Sequence, residues 1–230
     1  MIPYLTVNDS FQFPDPSEAE VPGIVASGGN LSPGMLVSAY RQGIFPWFNE
    51  EDPILWWSPD PRFVLYPEQL HVSKSMNKII KRRTFSVSFD TAFDQVIDCC
   101  AAKERPGQDG TWITRDMRDA YCVLHRLGIA HSAEAWQDGR LVGGLYGLSL
   151  GKIFFGESMF THVPNASKTA FISLVRELSV RGVKLIDCQV YTHHLHSLGA
   201  EDIPRDRYLK ELKALLEQAG MSGSWSNWVL

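Results

Sequence analysis

The fold of this chain is decided by residues 141–160, which read LVGGLYGLSLGKIFFGESMF. Two apolar runs flank the pair Gly151-Lys152, a pattern typical of two antiparallel strands joined by a tight turn. The second run holds Glu157 directly after Gly156, where a buried strand normally carries Val or Ile. A carboxylate at such a position costs free energy unless it is paired or used. The stretch therefore predicts a hairpin and marks Glu157 as a candidate for chemistry.

The segments around this hairpin predict the order helix, three antiparallel strands, helix, strand, helix. Asp138-Gly139 between apolar runs indicates a further hairpin turn. That order is the order of the acyltransferase core in acetyl-CoA-dependent N-acetyltransferases, although many α+β folds share it. We therefore expect an α+β protein with a GNAT-like core and a mostly antiparallel sheet over residues 63–230. The expected helices cover 73–82, 91–102, 115–127 and 205–218, and a further helix is capped by Asn165 or Ser167, runs through Leu178 and is ended by Gly182. The expected strands cover 130–136, 141–150, 153–160 and 184–190, with a His-rich loop after the last strand.

Residues 1–62 are rich in proline and aromatic residues and predict a small, loop-rich N-terminal domain. One helix is expected there, with Ser32 as its N-cap, Pro33 as its first residue and Gly43 just past its end.

A second polar cluster lies inside the apolar run 184–190. Asp187 and Gln189 are two residues apart, so in a strand both side chains point to the same face and Cys188 points to the other. A carboxylate beside a carboxamide can orient and polarise it, and so handle a proton during attack on a carbonyl. The alternative is a satisfied polar pair at the end of a strand. Phe154 would face away from Glu157 and Met159 in a regular strand, and a bulge at Gly156 would bring them to one cavity.

The four cysteines are expected to be structural thiols, and the histidine cluster is expected to lie in a solvated loop. Cys99 and Cys100 are adjacent and no C-x-x-C pair occurs, which suits reduced thiols in a cytoplasmic protein. His193, His194 and His196 have no nearby set of further ligands, so a solvated loop is favoured over a zinc site. The N-terminus lacks the pattern of a signal peptide, and no apolar run is long enough to span a membrane.

The charge is uneven although the net charge is only −4. No Asp or Glu occurs between Gln69 and Phe89, and that stretch holds five basic residues. A local patch of one sign on an acidic protein favours a polyanion such as a phosphate backbone over a merely solvated face. The basic residues are Lys74, Lys78, Lys81, Arg82 and Arg83.

Two tryptophans lie in loop-like contexts beside Gly or Pro. Trp47 and Trp112 could stack on a nucleobase, although a buried core position is the commoner fate of tryptophan.

Taken together, these motifs resemble one family over nearly the whole chain: the leucyl/phenylalanyl-tRNA–protein transferases. The strings are long, specific and in one order. They are 28–33 (GGNLSP), 43–48 (GIFPWF), 56–62 (WWSPDPR), 110–113 (GTWI), 155–160 (FGESMF), 165–168 (NASK), 187–189 (DCQ) and 197–200 (SLGA).

The resemblance implies an enzyme that transfers Leu or Phe, and less well Met, from aminoacyl-tRNA to proteins with N-terminal Arg or Lys. It implies that the products are marked for degradation by the N-degron pathway in the bacterial cytoplasm, that the enzyme needs no metal or CoA, and that no membrane is involved. A monomer is our expectation, because the sequence shows no amphipathic heptads.

The resemblance also implies roles for the residues singled out above. Gln189 would help to take the proton from the attacking amine, held and polarised by Asp187, and Glu157 would hold the cationic acceptor. The basic residues from Lys74 to Arg83 would contact the tRNA backbone. The Leu or Phe side chain would lie in a pocket made by Leu145, Phe154, Met159, Leu174 and Ile186. The terminal adenosine would lie against Trp47 and Trp112, with Tyr40 and Tyr121 close by.

The sequence leaves two alternatives open. A CoA-dependent N-acetyltransferase needs a Gly-rich turn of N–H groups for the pyrophosphate, and residues 161–168 contain no Gly and include Pro164. A non-catalytic RNA-binding module would explain the basic patch but not the acids at 157 and 187.

Overall fold

The computed structural model describes residues 4–19, 21–102, 113–221 and 223–228. Within these ranges the N-terminal part contains a three-stranded antiparallel sheet of order β1-β3-β2 and one helix. Its elements are β1 (Ile24–Ser27), α1 (Pro33–Arg41), β2 (Phe45–Pro46) and β3 (Leu55–Trp57), after a 3-10 turn at Pro16–Glu18.

A seven-stranded sheet and six helices form the rest of the described structure. Its strands are β4 (Arg62–Leu65), β5 (Ser86–Phe89), β6 (Ala130–Gln137), β7 (Arg140–Leu150), β8 (Ile153–Thr161), β9 (Leu185–Gln189) and β10 (Glu201–Ile203). Its helices are α2 (Lys74–Lys81), α3 (Phe93–Ala101), α4 (Arg115–Arg126), α5 (Ala166–Val180), the single turn α6 (His193–His196) and α7 (Arg205–Leu216), with a 3-10 turn at Pro67–Gln69.

The large sheet has the order β10-β4-β9-β8-β7-β6-β5. Every neighbouring pair is antiparallel except β8 and β9, which α5 connects as a crossover. The predicted fold class, α+β with a mostly antiparallel sheet, is therefore confirmed. The predicted order from α4 through the hairpins to α7 is also observed.

Two apolar layers cover the two faces of the sheet. One joins α1, α3, α4 and α7 to inward residues such as Tyr146 and Phe155. The other joins α2 and α5 to residues such as Leu145 and Ile186. Successive side chains along each strand point into opposite apolar layers. Polar side chains in these strands are therefore exceptions to the pattern.

The helix predicted in the N-terminal part is confirmed as α1, with Ser32 before it and Gly43 at a φ of +74° after it. A Cβ at Gly43 would lie 2.5 Å from Leu209, so the turn also lets α7 approach closely. The chain passes from the small sheet to the large one between β3 and Arg62. The division into 1–62 and 63–230 stays a prediction.

The sequence did not indicate strands β1 to β5 or β10, so the part expected to be loop-rich holds a small sheet. The expected loop at 193–196 is the helical turn α6. The turn forms because the Thr192 hydroxyl caps the amide of Leu195 at 3.2 Å.

Candidate active site

A cavity of about 650 Å³ opens where β8 and β9 lie side by side. Its wall is apolar on the α5 side and carries the polar ends of Glu157 and Gln189. The other lining residues are Phe45, Pro46, Trp47, Leu145, Tyr146, Gly156, Ser158, Met159, Thr161, Ser167, Phe171, Ile186, Cys188, Val190, Thr192, His194 and Leu195.

A β-bulge places Glu157 at this cavity. On β7, Tyr146 pairs with Ser158 and the next residue, Gly147, pairs with Gly156, so Glu157 is the extra residue of β8. The bulge brings Glu157 and Met159 to the cavity, as expected, whereas Phe154 shares the apolar layer with Met159 but does not line the cavity.

The Glu157 carboxylate accepts three hydrogen bonds from side chains of three elements. Its Oε1 accepts from the Tyr40 hydroxyl at 2.7 Å and from the Gln189 Nε2 at 2.8 Å. Its Oε2 accepts from the Tyr121 hydroxyl at 3.0 Å, and the two tyrosine hydroxyls also contact each other. Burial raises the pKa of Glu157 to about 7, although the hydrogen bonds act in the opposite direction. This carboxyl group is therefore poised to exchange a proton near neutral pH.

Asp187 forms a buried ion pair with Arg62. Arg62 donates from Nε to Oδ1 at 2.9 Å and from Nη2 to Oδ2 at 2.7 Å, and neither side chain is exposed. The Tyr208 hydroxyl donates to Oδ2 at 2.8 Å. Burial alone would lower the pKa of Arg62, but the adjacent carboxylate raises it, so the guanidinium stays charged. Neither Arg62 nor Tyr208 was among the predicted site residues.

Gln189 differs from the expected arrangement. Its φ is +64°, so the regular alternation of β9 ends there. Its main-chain amide donates to the Asp187 Oδ1 at 2.9 Å, while its carboxamide donates to Glu157. Asp187 therefore holds the backbone at Gln189, and the carboxamide is oriented by Glu157 instead of by Asp187 as expected.

The predicted aminoacyl pocket is brought together only in part. Leu145, Met159 and Ile186 line the cavity, whereas Phe154 and Leu174 are buried behind its wall. Phe171 and Leu195 line it and were not predicted. Phe171 lies one turn before Leu174 on α5, so the helical repeat of that segment could have indicated it.

The residues predicted near the adenosine fall in three different places. Trp47 lines the cavity and is 40% exposed. Tyr40 and Tyr121 are fully buried and are not part of the cavity wall, so their contribution is the hydroxyl contact with Glu157. Trp112 lies outside the described residues.

The predicted basic patch is an exposed surface. Lys74, Lys78 and Lys81 lie on α2, and Arg82 and Arg83 follow its end, with all five exposed. Met76 anchors the opposite face of α2 in the core.

Cys188 lies on the apolar side of β9, opposite Asp187, as strand alternation predicted. Burial raises the pKa of its thiol, which keeps it in the neutral form. Cys99, Cys122 and Cys188 are free thiols. Within the described ranges, no group of three or more His, Cys, Asp or Glu could hold a metal ion. No helix in these ranges is long and apolar enough to cross a membrane.

In the connection from β8 to α5, main-chain amides donate hydrogen bonds to other groups of the chain. The amide of Ala166 donates to the Val163 carbonyl at 3.1 Å, and that of Ser167 donates to the Thr161 hydroxyl at 3.5 Å. A Cβ at Gly143 would lie 2.7 Å from the Ser167 nitrogen, so β7 packs directly under the start of α5.

Among solved structures, the chain is similar to the L-PGS structure from Bacillus licheniformis (12% identity, 70% of this chain and 54% of that chain, TM-score 0.38). It is also similar to a GCN5-related N-acetyltransferase from Kribbella flavida (13% identity, 74% and 61%, TM-score 0.36).

Sequence comparison gives much stronger matches. The family model described as leucyl/phenylalanyl-tRNA protein transferase matches residues 64–213, and the model of its N-terminal domain matches residues 29–60. A leucyl/phenylalanyl-tRNA–protein transferase of Anaeromyxobacter sp. (strain K) is 56% identical over 93% of this chain and 91% of its own. The protein of that name from Pseudomonas putida is 55% identical over 98% and 99%. The chain therefore belongs to the leucyl/phenylalanyl-tRNA–protein transferase family.

Proposed function

We propose that this protein transfers Leu or Phe, and less well Met, from aminoacyl-tRNA to the α-amine of proteins that begin with Arg or Lys. The observation that carries the proposal is that one cavity has both an apolar wall and a carboxylate, in a chain of this family. The apolar wall suits the donated side chain, and the carboxylate suits a cationic acceptor.

The donor side chain would lie against Leu145, Met159, Phe171 and Ile186. Phe154 and Leu174 would support this wall from behind. A pocket that reads mainly apolar volume discriminates weakly between side chains, and Met adapts to branched and aromatic shapes. A relaxed choice among Leu, Phe and Met follows.

The tRNA would be held at its end and along its backbone. Trp47 presents an exposed aromatic face at the cavity, where the terminal adenine can stack. The exposed basic patch at α2 would contact phosphates without reading the sequence. The predicted adenine contact of Trp112 stays part of the proposal.

The reaction is aminolysis of an ester. The acceptor amine attacks the aminoacyl carbonyl carbon, the new C–N bond forms, and the bond to the 3′-oxygen of the terminal adenosine breaks. The ester is already activated, so holding amine and carbonyl in contact supplies much of the rate. Glu157 would fix the basic N-terminus of the acceptor beside Gln189, and Asp187 with Arg62 would hold the backbone at Gln189 in place.

We further propose that the protein acts as a monomer in the cytoplasm and that its products are marked for degradation by the N-degron pathway.

A CoA-dependent acetyltransferase is disfavoured by the start of α5, where Pro164 has no N–H and the amides of Ala166 and Ser167 are bonded within the chain. A non-catalytic RNA-binding module does not account for the buried Asp187 and the hydrogen-bonded Glu157.

The test is a pair of transfer reactions with the same acceptor peptide beginning with Arg. One reaction contains labelled Leu-tRNA and the other contains labelled acetyl-CoA. Labelled peptide from Leu-tRNA alone supports the proposal. Labelled peptide from acetyl-CoA alone would identify an acetyltransferase, and tRNA binding with neither product would identify a binding module.

A further inference from the structure

The two carboxylates of the site differ in how fully they are hydrogen-bonded. A carboxylate offers about four lone-pair positions. At Asp187, the Arg62 Nε and the Gln189 amide occupy Oδ1, and the Arg62 Nη2 and the Tyr208 hydroxyl occupy Oδ2. The side chain is also completely buried. Asp187 therefore has no position left at which to receive a proton from an incoming amine.

Glu157 keeps one such position. Among residues 4–19, 21–102, 113–221 and 223–228, Tyr40 and Gln189 donate to its Oε1 and Tyr121 alone donates to its Oε2. The side chain lines the cavity and is partly exposed there. The open position on Oε2 is therefore the acceptor that a cationic amine in the cavity can reach.

The three side chains that contact Glu157 are hydrogen-bond donors and poor proton acceptors. The Gln189 side chain is a carboxamide, a very weak base, and its Nε2 is already a donor to Glu157. Burial raises the phenol pKa of both Tyr40 and Tyr121 well above the ordinary value, so both stay protonated. These three groups can stabilise a charge on Glu157 but do not compete with it for a proton.

We propose that Glu157 is the catalytic residue that takes the proton from the α-ammonium of the acceptor, and that Gln189 orients Glu157 and the amine. This inference rests on the proposed function. The ammonium gives one proton to Glu157 and becomes an amine, whose lone pair attacks the ester carbonyl. The C–N bond forms, the C–O bond breaks, and the 3′-oxygen leaves with one proton. Glu157 passes the first proton to the departing 3′-oxygen and returns to the carboxylate, and the second proton lost by the nitrogen passes to water.

The acidities of the two partners fit this transfer. Burial raises the pKa of Glu157 to about 7, with a further contribution from the charge of Asp187. An α-amino group has a pKa of about 7.7–8.0, so the proton moves between groups of similar affinity. Asp187 itself is held in a buried ion pair with Arg62.

The test compares the wild-type protein with Glu157→Gln in transfer of Phe from Phe-tRNA to an Arg-peptide, from about pH 6 to about pH 9. We expect kcat of the variant to fall about 10²–10⁴-fold near neutral pH, in addition to any rise in the KM of the peptide that the lost charge causes. The deficit shrinks at alkaline pH, because the amine is then already uncharged. Tyr121→Phe removes a hydrogen bond that lowers the pKa of Glu157, so its activity profile should shift to higher pH.

The matched control is Glu134→Gln. Glu134 is another buried strand glutamate bonded to hydroxyl groups, those of Ser88, Thr91 and Ser132, outside the cavity. Its substitution should leave the transfer profile unchanged.

A variant Glu157→Gln with raised KM and unchanged kcat would overturn the inference, because Glu157 would then only bind the acceptor. An equal deficit at every pH would also overturn it. Absence of transfer by the wild-type protein is a separate result, which would overturn the proposed function and this inference with it.

Discussion

Arg62 and Asp187 meet through two hydrogen bonds, with neither side chain exposed to solvent. Arg62 also donates from Nη1 to the Gly43 carbonyl at 3.1 Å. The pair thus joins the end of α1, strand β4 and strand β9, and Gln189 follows Asp187 by two residues. Removing one partner would leave a buried charge uncompensated, so the pair holds these elements in place beside the cavity.

Asp187→Asn should destabilise the protein strongly, because it leaves the Arg62 charge buried without its partner. We expect a loss of about 3–5 kcal/mol in the free energy of unfolding, measured by urea denaturation. Asp98→Asn is the control, since Asp98 pairs with Arg118 at the surface and its loss should cost less than about 1 kcal/mol. Equal effects of the two substitutions would contradict this account of the buried pair.

The basic patch should contribute to tRNA affinity through charge alone. The variant Lys78→Ala/Lys81→Ala should bind tRNA more weakly, with a shallower dependence on salt, because two fewer phosphate contacts release counterions. Titration at several salt concentrations measures this. Lys210→Ala/Lys213→Ala makes the same change in charge on the exposed face of α7 and should leave the salt dependence as it is. The same loss of tRNA affinity in both double variants would indicate an effect of net charge and not of the basic patch.

Trp47→Ala should weaken use of the aminoacyl-tRNA. Stacking of one base on an aromatic side chain contributes about 1–3 kcal/mol, so the KM of the tRNA should rise by a corresponding factor. Steady-state kinetics with varied Phe-tRNA measure it, with Tyr4→Ala as a control because Tyr4 is an exposed aromatic residue that does not line the cavity. An unchanged KM would remove Trp47 from the proposed adenine site.

Two buried acids away from the cavity should give opposite pH dependences of stability. Burial acts to raise the pKa of Asp90, but its bonds to His131, Trp225 and Ser132 outweigh this and lower it. Its stabilising contribution is therefore present above the unfolded-state pKa and is lost as the pH falls through the folded-state pKa. Burial raises the pKa of Glu134. Its contribution to stability therefore increases as the pH falls through the folded-state pKa, which is the opposite sign.

Urea denaturation between about pH 3 and about pH 6 tests both signs. Asp90→Asn should flatten the loss of stability on acidification, and Glu134→Gln should steepen it. Parallel curves for the wild-type protein and both variants would show that neither acid has a shifted pKa.

The sequence predicted the features that depend on local pattern. Gly156 before an acid in an apolar run indicated a bulge, and the bulge at Glu157 is present. Strand alternation placed Cys188 opposite Asp187. Helix signals at Ser32 and Gly43 located α1.

The contacts that sequence reasoning missed join residues far apart in the chain. Arg62 is 125 residues from Asp187, and Tyr40 is 117 residues from Glu157. Local periodicity carries no information on such pairs. The direction of the Gln189 side chain was also missed, because it depends on a backbone turn at the last residue of β9 that alternation does not anticipate.

We propose above all that the protein adds an amino acid to a basic N-terminus. Mass spectrometry tests it most directly, after incubation of the protein with Leu-tRNA and a peptide beginning with Arg, beside the same peptide beginning with citrulline, the neutral counterpart of Arg. The account predicts that the Arg-peptide gains the mass of one leucine residue at its α-amine and that the citrulline peptide gains far less. Equal addition to both peptides, or addition to neither, would contradict it.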